Sequence, residues 1–149
     1  MGYTHYWHVR RDVQQDKLDK TIKDIQKVVK KAKKDGLITG WDGEVNTEIT
    51  NDKEKIAFNG IGEGSHETFE VQKSVEAYKT MKGYEEPWTF EFCKTARKGY
   101  DIVVVACLSA MKKNLGQYIE VTSDGDMEPG GDWARGREYL YSILEKEEL

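Results

Sequence analysis

Asp101-Ile102-Val103-Val104-Val105-Ala106-Cys107-Leu108-Ser109-Ala110-Met111-Lys112-Lys113-Asn114-Leu115-Gly116 is the stretch on which the reading of the fold turns. Its β-branched run Ile102 to Val105 suits a strand, whose pleated surface such side chains pack well. Against that, more than a dozen residues pass without a breaker, and Ala106, Leu108, Ala110 and Met111 favour a helix that is apolar on nearly every side. The spacing predicts a buried helix over 102–115, capped by Asp101 and ended by Gly116.

Just before this helix, Trp88 to Cys93 alternates, with Trp88, Phe90 and Phe92 on one side and Thr89, Glu91 and Cys93 on the other. That period of two reads as a strand entering after Pro87, and Gln117 to Thr122 reads as another. Asp132 is placed to cap a final helix that carries Trp133, Leu140, Ile143 and Leu144. On the N-terminal side, Ile56 to Asn59 and Glu67 to Val71 read as short strands joined by a turn over Gly60 to Ser65. Residues 72 to 86 read as loop. Tyr3 to Val9 reads as a strand with Tyr3, His5, Trp7 and Val9 on one face. Between it and Gly36, Leu18, Ile22, Ile25, Val29 and Ala32 recur at helical spacing, with Asp12 and Gln15 as a capping box and Asp35-Gly36 as the stop. The order is strand, helix, several strands, helix, strand, helix. It predicts a single α+β domain over 1–149, with an antiparallel or mixed sheet and about three helices packed mainly on one face.

The 149 residues carry 23 basic and 27 acidic side chains, a net charge of -4, which argues against a general nucleic-acid binder. The charge is unevenly placed: +5 over residues 1–36, -7 over 37–91 and -2 over 92–149. The positive excess falls on one helix face, Lys20, Lys23, Lys27, Lys31 and Lys34, a solvated surface or a patch for an acidic partner. Cys93 and Cys107 sit in apolar surroundings with no CxxC partner, as buried thiols of a reducing compartment do. The first residues lack the pattern of a secretory signal, and no apolar run approaches a membrane span, so a cytoplasmic location is expected.

Several polar constellations resemble sites without completing one. Gly60-Ile61-Gly62-Glu63-Gly64 lacks the glycine spacing and following helix of a dinucleotide fingerprint. Asp124, Asp126 and Glu128 start like a calcium loop, but Pro129 and Arg135 stand where the turn glycine and bidentate Glu belong. His5 and His8 fall on opposite faces of a strand, so no metal site is expected from them, nor any cofactor. No GxSxG, Walker or HExxH pattern occurs, and no catalytic residue is assigned. The most suggestive stretch is Lys94-Thr95-Ala96-Arg97-Lys98, directly ahead of the predicted helix. Arg97 is suited to grip a phosphate through parallel N–H bonds, Lys94 supplies a point charge, and helix N–H groups add to both. Asp101 opposes such an anion unless it is paired.

Met1-Gly2-Tyr3-Thr4-His5-Tyr6-Trp7, Phe58-Asn59-Gly60 with Glu67-Thr68-Phe69, Phe92 to Asp101 and Ser123-Asp124-Gly125-Asp126 together resemble a family of small uncharacterised proteins of bacteriophages and prophages. In that family a proline usually precedes the Tyr-Asp pair, where this chain has Gly99. The resemblance implies a phage accessory protein of the bacterial cytoplasm and brings no assigned reaction.

These readings lead to one expectation: a non-catalytic protein binding a phosphate-bearing small molecule, such as a host defence nucleotide signal, through Tyr3, His5, Trp7, Asn59, Lys94, Thr95 and Arg97. One competing expectation is an inhibitor of a host protein acting through the lysine face or a sheet edge, with a homo-oligomer as an open alternative to the monomer. The other is a metal-assisted hydrolase using His5 or His8 with Asp124.

Overall fold

The computed structural model describes residues 2–82 and 86–148. The apolar stretch at 101–115 is a helix throughout, α3 (Asp101–Leu115), and every residue from Val103 to Met111 is buried. A helix with no polar face needs cover on all sides. It gets this from α1 (Gln15–Lys34), α4 (Ala134–Glu148) and the strand β6 (Ile119–Ser123). Gly136 brings α4 close. A Cβ at that position would lie 2.4 Å from Val105 Cγ1, so only glycine permits this approach of α4 to α3.

The strands form two antiparallel sheets rather than one. The first has the order β5-β1-β6, with β1 (Thr4–Val9) central between β5 (Glu91–Lys94) and β6. Its register sets Tyr6 opposite Phe92 on one side and Thr122 on the other. The second has the order β2-β3-β4, formed by β2 (Thr50–Asn51), β3 (Lys55–Phe58) and β4 (Phe69–Gln72). Trp7 of the first sheet meets Phe69 of the second at 5.4 Å between ring centres, and Phe69 meets Phe58 at 5.3 Å. These rings belong to one continuous core running from Trp7 to Leu144. The large side chains Leu18, Ile25, Ile56, Phe58, Phe69 and Leu108 within it are each worth about 1.5–3 kcal/mol of burial.

The face carrying Tyr3, His5, Trp7 and Val9 is the covered one; none of the four is more than 4% exposed. On β5 the aromatic side is the outer one. Phe90 and Phe92 are exposed beside Tyr6 and His8, while Thr89 and Cys93 are buried. Both cysteines are free and buried, and burial pushes the Cys93 thiol up to about 12.

The helix ends depart from the sequence reading. Asp12 caps nothing: it pairs with Arg10, and the cap position belongs to Gln14, without a side-chain bond. Gln15 instead reaches across to the start of another helix, accepting from Val75 N–H and donating to the Lys73 carbonyl. That helix, α2 (Val75–Thr80), occupies part of the stretch expected to be loop. Ser74 caps it by accepting from Glu76 N–H, and Tyr78 anchors it in the core. Residues 83–85 of the same stretch lie outside the described residues. The lysine-faced helix ends at Asp35 and Gly36 as its sequence predicts. No helix among the described residues is long and apolar enough to cross a membrane.

Candidate functional site

Three stretches far apart in sequence, 3–5, 95–101 and 123–133, meet where β1, β5 and β6 run towards the N-terminal ends of α3 and α4. At their junction His5 is fully buried and held from both sides. Its Nδ1 lies 2.8 Å from Ser123 Oγ and its Nε2 lies 2.7 Å from Asp101 Oδ1. Ser123 Oγ also accepts from Gly125 N–H at 2.9 Å and Trp133 Nε1–H at 3.2 Å. A carboxylate can only accept, so the Asp101 contact is a bond donated by His5 Nε2–H. Thr95 O–H donates to the same Asp101 oxygen at 2.5 Å. Tyr3 and Trp133 meet the imidazole edge-on at 5.2 and 5.4 Å, fixing its plane.

Serine, histidine and aspartate in a row have the connectivity of a hydrolytic triad, but the exposure runs the wrong way for one. The serine oxygen is saturated and the histidine has no surface, whereas the Asp101 side chain is 19% exposed. The chain of bonds therefore presents a carboxylate, not a nucleophile. Asp101 is the first residue of α3 and does not cap it; Tyr100 holds the cap position. The cations of the 94–98 stretch do not pair with Asp101: the His5 N–H and the Thr95 hydroxyl hold its Oδ1 from behind, and its negative charge still faces the solvent side.

Asp101 borders a cavity of about 400 Å³ whose wall also includes Tyr3, Arg97, Lys98, Asp132 and Arg135. The chain reaches it through a strained turn. After Thr95, Ala96 and Arg97 both adopt left-handed backbone angles, φ 52° and 58°, a conformation that costs a residue with a Cβ about 1–2 kcal/mol. Thr95 N–H and Ala96 N–H both donate to the Tyr3 carbonyl, which holds the turn to β1. The result is an Arg97 guanidinium stacked on the Tyr3 ring at 3.9 Å from its centre, with a long 3.4 Å contact to Asp132. Asp132, expected to cap α4, instead accepts from Asp126 N–H; that bond, and then Arg97, lowers its carboxyl below the usual range. Burial raises the Tyr3 phenol, and the charges of Asp101 and Asp132 add to the effect.

Of the residues singled out from sequence, Tyr3, His5, Thr95 and Arg97 come together here. Lys94 does not line the cavity: strand alternation turns it to the other side of β5 from Cys93 and Thr95, against Gly2. Trp7 packs in the core on Phe69. Asn59 lies in another loop system, where its amide donates to the carbonyls of Trp41 and His66 and its oxygen accepts from Gly60 and His66 N–H. Asp124 accepts from Thr4 N–H, and His8 meets the Thr89 carbonyl on the outer face, so neither forms the histidine pairing expected of a hydrolase. Among the described residues no group of three His, Cys, Asp or Glu side chains is placed to share a metal ion.

Sequence reading missed Asp101 as a site residue, together with Ser123, Asp132, Trp133 and Arg135. The position of Asp101 directly after the cationic stretch was the available signal. Nothing in the sequence brings Ser123 or Arg135 to it. No family model, curated protein or solved structure matches this chain.

Proposed function

We propose that the protein binds a phosphate-bearing small molecule in the cavity at the start of α3. The observation that carries this reading is Arg97, stacked on Tyr3 in a strained turn and facing the same cavity as Lys98 and Arg135. Strain held in place by the surrounding bonds is a mark of a positioned group, and a guanidinium offers paired N–H donors to a phosphate. The contact to Asp132 is long and half-exposed, so an incoming anion displaces little to reach Arg97. The saturated Ser123 and enclosed His5 favour binding over catalysis. In the setting that the phage resemblance implies, the bacterial cytoplasm, a nucleotide signal of host defence is a ligand of this chemistry, and sequestering it is the counter-defence role.

Calorimetry with inorganic phosphate, pyrophosphate and a panel of cyclic and ADP-ribose-derived nucleotides tests it. Binding by one or more of them that Arg97→Ala weakens at least tenfold is the expected result. Silence across the panel removes the reading.

A second reading, a docking surface for an acidic host protein, is favoured by a separate groove between α1 and α4. Lys23, Lys27, Lys30, Lys31 and Lys34 line it over the apolar Ile143, and among the described residues only Lys31 of these five has a carboxylate partner, Asp35. A complex formed there weakens with salt and on Lys27→Glu with Lys30→Glu.

A further inference from the structure

Asp101 is the unusual member of an anion site. Both of its side-chain hydrogen bonds inside the protein go to one oxygen: Oδ1 accepts from His5 Nε2–H at 2.7 Å and from Thr95 O–H at 2.5 Å. Among the described residues Oδ2 has no protein donor, and the side chain, 19% exposed, borders the cavity that Arg97, Lys98 and Arg135 share. A carboxylate oxygen left open inside a cationic pocket is an acceptor waiting for a donor. Toward a bare phosphate it is repulsive, and Asp132 adds to that repulsion from the same wall.

From this arrangement we infer the ligand class. The molecule carries, beside its phosphate, a hydroxyl group that donates to Asp101 Oδ2: a phosphorylated sugar or polyol, the ribose phosphate of a nucleotide included, and not inorganic phosphate or a simple alkyl phosphate. The donor is a hydroxyl and not an ammonium because three cationic side chains surround the same space and disfavour a further positive charge. The buried relay has a definite part in this. His5 and Thr95 fix the carboxylate plane, so Oδ2 keeps one direction, and a hydroxyl meeting it forms a charge-assisted bond. A site built to bond a hydroxyl disfavours a ligand without one, since such a ligand shuts water away from Oδ2 and offers no donor in its place. This inference rests on the phosphate-binding reading above.

The test compares ribose 5-phosphate, butyl phosphate and 2-aminoethyl phosphate by calorimetry on the full chain, and repeats the series on Asp101→Asn. Asparagine keeps an oxygen for His5 and Thr95 and puts an NH₂ where Oδ2 was, reversing the polarity offered to the ligand. The wild type is expected to prefer ribose 5-phosphate by about ten- to a hundredfold over butyl phosphate, as for one charge-assisted bond. In Asp101→Asn that ratio falls to about one, and butyl phosphate binds more tightly than it does to the wild type. Equal binding of ribose 5-phosphate and butyl phosphate by the wild type overturns the inference and leaves the phosphate site standing; this comparison needs no variant and survives a failure of Asp101→Asn to fold. Preference for 2-aminoethyl phosphate overturns the hydroxyl assignment. If none of the three binds while a member of the nucleotide panel does, the hydroxyl inference fails alone; silence across that panel as well removes the phosphate-binding reading itself.

Discussion

Gly125→Ala tests the packing of the site with a single methyl group. A Cβ at that position would stand 1.9 Å from the Tyr3 hydroxyl oxygen, 2.8 Å from Cζ and 3.0 Å from Cε1. Ordinary contact needs about 3.5 Å, so either the ring or the loop must move by more than an ångström. The loop is pinned on both sides: Asp124 N–H donates to the Thr4 carbonyl, Thr4 N–H to the Asp124 carboxylate, and Gly125 N–H to Ser123 Oγ. The ring is 4% exposed and wedged against His5. Overpacking of this kind costs about 1–3 kcal/mol. The backbone at Gly125 is not left-handed, so alanine also gains about 0.4–1 kcal/mol by narrowing the unfolded ensemble; a contact this short belongs at the upper end of the overpacking range, and the net loss is about 2 kcal/mol. Urea denaturation measures it. Because the ring that is displaced carries Arg97, the same variant should bind ribose 5-phosphate at least fivefold more weakly. Tyr3→Phe removes the nearest clashing atom, so the double variant should recover part of the loss, a coupling of about 0.5–1 kcal/mol. A neutral Gly125→Ala, or strict additivity with Tyr3→Phe, would refute this account of how Tyr3 is held.

Burial pushes the Glu91 carboxyl up to about 8, outweighing the pull of the Thr89 hydroxyl. The folded state therefore holds a proton that the unfolded chain releases near pH 4.5, and stability falls as pH rises from about 4.5 to 8, by at most about 5 kcal/mol. Glu91→Gln should flatten that part of the profile and stabilise the protein at pH 8; an unchanged slope would sink the assignment. The buried Arg11 guanidinium donates to the carbonyls of Tyr78 and Met81 at the end of α2. Arg11→Ala is expected to cost about 3 kcal/mol and to remove hydrogen-exchange protection from α2 before the rest of the chain; a loss under about 1 kcal/mol contradicts it. Asn59→Ala breaks five internal bonds, the one to Thr68 long at 3.5 Å, and should cost about 2–3 kcal/mol while leaving ribose 5-phosphate affinity within twofold. A tenfold change in affinity would bring the Asn59 loop into the site.

Where hydrophobic period and length agree, the chain reads correctly from sequence alone. The α3 stretch is too long for a strand, and its nearly unbroken apolar run demands cover on every side. The buried face of β1 follows from alternation. Alternation also contains the correction for Lys94: a residue one step from Thr95 and Cys93 on a strand takes the opposite side. What sequence cannot express is the meeting of 5, 101 and 123, because strand pairing over such separations leaves no local trace. It likewise hides Gln15 and Asp132. Gln15 suits the third position of a capping box and Asp132 suits a cap, and in the fold each finds another partner across a loop. The capping propensity is real and tertiary contacts override it.

The left-handed pair Ala96 and Arg97 sets this protein's terms for engineering. Anyone seeking a more heat-resistant version would choose that turn first, since Ala96→Gly relieves strain and removes only a half-buried methyl group. The same change sets free the backbone that aims the guanidinium at its cavity. On the proposed phosphate-binding reading, resistance to heat and grip on the ligand are drawn in opposite directions at one residue, and a library selected only for melting temperature should lose any phosphate affinity there.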